Sequence, residues 1–479
     1  MSSRETVCPL FRWNRETPDR PLVRPPSGPI TAASLEERVR RAVARLQTEG
    51  VGPGDRIGLW LDDPVATLTI LLALWRLRAV ACLLSTRLPA AGLEAPIRQV
   101  GLQALITDRP CATTLPCWHP EALQDAPPTA PEAPPRLAME QHATVFFTSG
   151  STGAPKGVLH TIGNLIDSAR GVAAHLHLQP GDRWLLVLPL YHVGGMGVLM
   201  RCLLVGAELV IPERREPLGR ALVRYAPTHA SLVHTQLWRL LRDTDGPPPR
   251  TLRVVLLGGS AIPEEVLQEG VARGWPLHTS YGLTEMASTV TATPPGASLE
   301  LLRTSGRVLP YRELKIGPDG AILVRGSVRF VGYLENGRLR QPFNEAGWFD
   351  TGDLGWLDEA GYLHVEGRRD NRFISGGENI QPETIERTLL RLPGVAEAVV
   401  VPVPDPEFGE RPAAFVRTEG ERWEPDRWRA ELRQALPGFM VPVAFWPWPE
   451  LPDGGIKASR QLLKEEARRR WPPAEREDR

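Results

Sequence analysis

The run Thr148, Ser149, Gly150, Ser151, Thr152, Gly153, Ala154, Pro155, Lys156, Gly157 directly follows the apolar Val145-Phe146-Phe147. Its small residues leave backbone N–H groups open, its hydroxyls can donate, and Lys156 adds a positive charge. That is the equipment for holding phosphates. It is not a G-x-x-x-x-G-K-[ST] loop, because Lys156 follows Pro155 instead of a glycine. The lesser alternative for such a run taken alone is a Ser/Gly-rich surface loop. Five further blocks follow in order: Gly258-Gly259-Ser260, Tyr281-Gly282-Leu283-Thr284-Glu285, Trp348-Phe349-Asp350-Thr351-Gly352-Asp353, Gly367-Arg368-Arg369-Asp370 and Gly455-Ile456-Lys457-Ala458-Ser459-Arg460.

Taken together and in this order, the blocks cover most of the chain and resemble those of the adenylate-forming superfamily. Its members include acyl-CoA synthetases, firefly luciferase and peptide-synthetase adenylation domains. The resemblance implies an enzyme that uses ATP and Mg²⁺ to activate a carboxylic acid as an acyl-adenylate, with coenzyme A as the acceptor. Two anions, a carboxylate and a phosphate, must meet in the first step, so cations have to screen them and stabilise the developing charge. By resemblance, Thr148 to Gly153 and Lys156 hold phosphates, while Thr284 and Glu285 sit at the α-phosphate and the metal. Glu285 supplies the hard oxygen that Mg²⁺ prefers. Gly258, Gly259, Tyr281 and Gly282 are implied at the adenine slot, and Asp353 at the ribose hydroxyls with Arg368 assisting. Lys457 is implied to neutralise carboxylate and phosphate during adenylation. Asp370 matches the hinge about which a small domain would turn, withdrawing Lys457 and presenting Ser375-Gly376-Gly377-Glu378-Asn379 for the thiol step. Two positions depart from the pattern: Ile456 stands where a glycine usually precedes the lysine, and Asn379 where some relatives are basic.

Four stretches narrow the resemblance to the o-succinylbenzoate–CoA ligase branch, which serves menaquinone biosynthesis. They begin at Pro189, Tyr281, Phe373 and Gly454; Gly454-Gly455-Ile456-Lys457 and Gly377-Glu378-Asn379-Ile380-Gln381-Pro382 discriminate best. The implied acid is a dicarboxylate, one carboxylate reacting and the aromatic one only being recognised. Arg201, nine residues past His192 in an otherwise apolar stretch, is a candidate for that recognition, since a guanidinium binds a carboxylate bidentately. A snorkelling or ion-paired arginine is the equal alternative. His192 is expected at the acyl pocket, with Ser288 and Thr289 adding hydrogen bonds. The competing function is another acyl- or aryl-CoA ligase, for a fatty or benzoic acid.

The elements that must position these residues read as α/β. Short apolar runs, Asp55 to Leu61, Leu185 to Pro189 and Arg253 to Gly259, end at turn residues and suit strands covered on both faces. The expected architecture is a large N-terminal domain of layered α/β subdomains, residues 1–369, followed by a small mobile α+β domain, residues 370–479. In the latter, Pro382 to Leu390 reads as an amphipathic helix, Val395 to Val403 as a strand, and the chain from Gln461 as helix. With 56 basic and 56 acidic residues among 479, the neutral balance argues against nucleic acid as a partner. Five cysteines without a C-x-x-C pair argue against a disulfide framework and point to a cytoplasmic protein. The apolar run Val65 to Trp75 is too short to cross a bilayer, so membrane insertion is not expected. The partners are small-molecule substrates, with homo-oligomerisation left open.

Overall fold

A computed structural model describes residues 4–110, 113–128, 133–149, 155–418, 423–449 and 460–471. The chain forms two compact units. The larger comprises Met1–Ala261, Glu269–Leu314 and Val324–Phe349, and the smaller Ile262–Gln268, Lys315–Leu323 and Asp350–Arg479. The boundary expected at Asp370 lies inside the long segment of the smaller unit.

Two large sheets organise the larger unit. In one, the strands Val80–Leu83, Arg56–Trp60, Ala104–Thr107 and Cys117–Trp118 run parallel. His142–Ser149 joins Val80–Leu83 in parallel, and Pro155–Thr161, Gly332–Glu335 and Arg338–Arg340 extend the sheet antiparallel. The other has nine strands and a parallel centre, Leu277–Leu283, Val254–Leu257, His229–Leu232, Arg183–Leu185, Glu208–Val210 and Pro21–Arg24. Val254–Leu257 and Val80–Leu83 are buried throughout, as expected of parallel strands covered on both faces. The strand expected at Leu185 to Pro189 is instead Arg183–Leu185. Beyond it the chain must turn toward Tyr191, and Pro189 has no N–H to give a central ladder.

Helices close the layers. Pro64–Arg76 starts with Asp63 accepting from the Val65 N–H and Pro64 in the first turn, and is buried from Thr67 to Trp75, which is why its sequence shows no polar face. A continuous core joins it to Ala32–Thr48, Ile162–His175 and Val193–Val205.

The smaller unit has its own core under the helix Pro382–Leu390. Val395–Asp405 and Gly409–Thr418 form a long antiparallel hairpin, Ala444–Pro447 adds in parallel, and Arg460–Arg470 packs against it. The helix at Pro382, the strand at Val395 and the C-terminal helix thus fall where their sequence patterns put them. No helix among the described residues is long and apolar enough to cross a membrane.

Candidate active site

In the larger unit, the strand His142–Ser149 pairs with Pro155–Thr161 so that Lys156 lies opposite Thr148. Gly150, Ser151, Thr152 and Gly153 lie outside the described residues. The Lys156 ammonium sits 5.4 Å from the centre of the Tyr333 ring, a cation–π distance. The Tyr333 hydroxyl in turn donates to Glu285 Oε1 at 2.7 Å. A cation and a carboxylate are therefore held on two sides of one aromatic ring.

Thr284–Met286 forms a single tight turn after the strand Leu277–Leu283. His160, fully buried, donates from Nε2 to the Thr284 carbonyl at 2.8 Å, and the Phe330 N–H donates to the Glu285 carbonyl at 2.8 Å. Burial pushes the His160 imidazole down to about 4, so it is neutral with its proton on Nε2. The chain leaves this turn through Ala287 at φ 50° and Ser288 at φ 103°. Two consecutive non-glycine residues in that region signal backbone held against its preference. Gly282 is required by the same bend, since a Cβ there would meet the Ser288 carbonyl oxygen at 2.2 Å. Gly258 and Gly259 follow the strand Val254–Leu257, Gly259 with φ +85°, and Tyr281 lies on the neighbouring strand.

Arg201 is 1% exposed on the helix Val193–Val205, which His192 precedes. Snorkelling is thereby ruled out, and no carboxylate among the described residues lies within ion-pair distance. Its Nη2 has only weak contacts, 3.5 Å to Ser288 Oγ and 3.4 Å to Thr289 Oγ1, and its Nε has no partner. Its guanidinium lies 5.1 Å from the Trp184 ring centre. Desolvation pulls the guanidinium down to about 10, which corresponds to about 3 kcal/mol against the charged form. The neighbouring Cys202 thiol is pushed up by burial and gives no counter-charge. The structure thus brings Arg201, Ser288 and Thr289 together. The His192 ring lies 4.6 Å from that of Tyr191, tilted by 60°, and desolvation, then Arg87, lowers its pKa; solvent still reaches the ring, so the effect is that of a crowded cleft wall.

In the smaller unit, Asp353 pairs in register with Arg368 on the antiparallel strands Phe349–Leu357 and Leu363–Arg368. Arg368 reaches Asp353 at 3.3 Å and the hinge candidate Asp370 at 3.5 Å. Ser375 to Asn379 forms a hairpin turning at Gly376 and Gly377, both with positive φ. Lys457 lies outside the described residues.

Sequence reasoning missed Tyr333, whose bond to Glu285 spans 48 residues and leaves no local signal. It also missed a cavity of about 700 Å³ in the larger unit, lined by Leu188, Tyr191, Arg215, Arg220 and Arg239 among others. The cavity opens past Arg183–Leu185, the strand flanked by Glu208–Val210 on one side and His229–Leu232 on the other. That is where the strand order reverses, the usual place for a crevice in such sheets. Arg215, Arg220 and Arg239 have no ion-pair partner among the described residues.

No group of three or more His, Cys, Asp or Glu side chains gathers among the described residues. A Mg²⁺ is commonly held by one carboxylate together with substrate phosphates and water, and Glu285 braced by Tyr333 fits that role.

Residues 10–334 match the AMP-binding enzyme family and residues 384–455 its C-terminal domain. The 2-succinylbenzoate–CoA ligase of Salmonella typhimurium is 35% identical over 96% of this chain and 98% of its own. That of Escherichia coli strain K12 is 38% identical over 89% and 91%. Among solved structures, the o-succinylbenzoate CoA synthetase of Bacillus subtilis with its acyl-adenylate intermediate superposes with a TM-score of 0.89 at 31% identity, covering 96% of this chain and 98% of that one. The same Bacillus subtilis enzyme with ATP and magnesium gives 0.87 at 30%, over 94% and 97%. Family models thus span most of the chain and relatives above 30% identity cover nearly all of it: the chain belongs to the AMP-binding enzyme family.

Proposed function

We infer that the protein ligates 2-succinylbenzoate to coenzyme A through an acyl-adenylate, using ATP and Mg²⁺ and releasing AMP and pyrophosphate, as a step of menaquinone biosynthesis. The relatives named for that reaction support it, and the observation that carries the substrate is Arg201. A guanidinium buried with weak hydroxyl contacts and no carboxylate is a costly arrangement. The aromatic carboxylate of the substrate removes that cost by supplying the missing charge, with Ser288 and Thr289 beside it.

In the first half-reaction the succinyl carboxylate oxygen attacks the α-phosphorus of ATP and the bond to pyrophosphate breaks. Lys156 and the phosphate loop bind the anionic tail, and Thr284 and Glu285 face the α-phosphate from a turn that His160 and Phe330 hold still. Mg²⁺, when bound at Glu285, supplies charge neutralisation. Gly258, Gly259, Tyr281 and Gly282 receive the adenine, Asp353 and Arg368 the ribose, and Lys457 neutralises the reacting carboxylate. In the second, the coenzyme A sulfur attacks the acyl carbonyl, AMP leaves and the thiol proton passes to water. Asp370 serves as the hinge between the two arrangements of the C-terminal domain, residues 370–479. His192 lines the acyl pocket. The cavity with Arg215, Arg220 and Arg239 is the candidate seat for the phosphates of coenzyme A. The reading puts the protein in the cytoplasm, where its cosubstrates are held, and homo-oligomerisation is compatible with it.

The test is pyrophosphate release with Mg-ATP, coenzyme A and a panel of 2-succinylbenzoate, benzoate and medium-chain fatty acids. Turnover dependent on 2-succinylbenzoate is expected; turnover with the other acids alone would replace the substrate and keep the reaction.

A further inference from the structure

Arg312 belongs to none of the sequence blocks, yet it is 6% exposed and lies against the same residues as Arg201. Its Nε donates to the Thr289 carbonyl at 2.6 Å, Nη1 to the Pro310 carbonyl at 2.6 Å, and Nη2 to the carbonyl and hydroxyl of Ser168 at 3.1 and 2.9 Å. Every one of its three nitrogens is thus used on the protein. No carboxylate among the described residues is within ion-pair distance of it. Asp167, which attracts it from farther away, is already paired with Arg170 at 3.4 Å.

Two buried guanidiniums therefore share Thr289, Arg312 holding its carbonyl and Arg201 reaching its hydroxyl. After desolvation, the charge of Arg201 is the next largest influence on Arg312, bringing it down to about 9. Each cation makes the other more costly, and one incoming anion relieves both. A neutral group placed against Arg201 would leave the pair uncompensated. A carboxylate is attracted by two charges while touching only one of them.

We propose that Arg312 is a specificity-determining positioning residue: it fixes the Ser288–Thr289 backbone and supplies the second buried charge that makes the acyl pocket prefer an acid with a spare carboxylate. It acts through Arg201 and Thr289 and does not itself touch the acid. The proposal rests on the 2-succinylbenzoate reading and assigns selectivity within it.

The experiment compares kcat/KM for 2-succinylbenzoate with that for 4-oxo-4-phenylbutanoate, which keeps the reacting carboxylate and lacks the aromatic one. Wild type, Arg312→Gln and Arg312→Lys are measured, with the KM for ATP followed in parallel. Arg312→Gln is expected to lower the diacid-to-monoacid ratio by tenfold or more, chiefly through KM for the diacid, with the KM for ATP unchanged. Arg312→Lys keeps the charge and should hold the ratio within about threefold of wild type even if both rates fall. Equal losses on the two acids in Arg312→Gln would make Arg312 a structural brace only and overturn the proposal, as would an unchanged ratio. If Arg312→Gln does not fold, Arg312→Lys decides: a ratio that collapses with the charge retained overturns it, and a retained ratio supports it. Failure of the wild type to use 2-succinylbenzoate at all refutes the substrate reading itself, and the proposal with it.

Discussion

Arg76 and Arg201 lie in the same unit, both out of water, and differ in company. Arg76 grips Glu36 with both terminal nitrogens, at 2.7 and 2.6 Å, tying the helices Pro64–Arg76 and Ala32–Thr48 together. Burial alone would pull its pKa down, but Cys8 and Glu36 outweigh that and raise it. Arg201 has weak hydroxyl contacts and an aromatic ring, and its pKa falls. Arg76 has its carboxylate already in the fold and holds structure; Arg201 lacks both a carboxylate among the described residues and a full set of hydrogen bonds, which is the arrangement the proposed substrate carboxylate would complete. Breaking a buried pair leaves a stranded charge, whereas replacing an unpaired one by an apolar group removes a burden.

That contrast can be broken in order of effect. Arg76→Leu should destabilise the protein by about 3–5 kcal/mol, because Glu36 is left buried alone; chemical denaturation measures it, and a loss under 1 kcal/mol would erase the distinction. Arg201→Leu should leave stability unchanged or higher while kcat/KM for 2-succinylbenzoate falls on the order of 10²-fold or more, as when a transition-state or recognition contact is removed. Damage mainly to the KM for ATP would refute the role given to Arg201. Tyr333→Phe offers an intermediate case, since it removes a single hydrogen bond to a carboxylate that has another function. A rise of about tenfold in the KM for Mg-ATP is expected from a charge-assisted bond, with the KM for the acid unaffected.

A further effect is one of pH. Burial holds His160, His229 and His234 at about 4, below the ordinary histidine value of 6.5. The unfolded chain therefore binds protons that the folded one refuses between those values. Stability should be full above pH 6.5 and decline as pH falls toward 4. A melting temperature independent of pH over this range would contradict the buried, neutral histidines.

Much of this was legible in the sequence because the signals were local. Runs such as Val254–Leu257, apolar throughout and ended by glycines, read as interior strands, and Gly282 after Tyr281 marks where the backbone comes close. Arg201 was visible as a charge inside an apolar helix, but whether it had a partner was not, since the partner of any arginine is set by packing. Tyr333 and Arg312 reach Glu285 and Thr289 from strands distant in sequence, and nothing in their neighbours announces it. The end of Arg183–Leu185 was misplaced because leucines continue past it into the turn.

The turn at Thr284 and Glu285 is secured through its main chain, by His160 and by the Phe330 N–H, while the chemistry is assigned to its side chains. Loss of activity and loss of folding are therefore separate mutational events here. On the proposed reading, a substitution at Glu285 should remove adenylation while the main-chain bonds of the turn keep the fold.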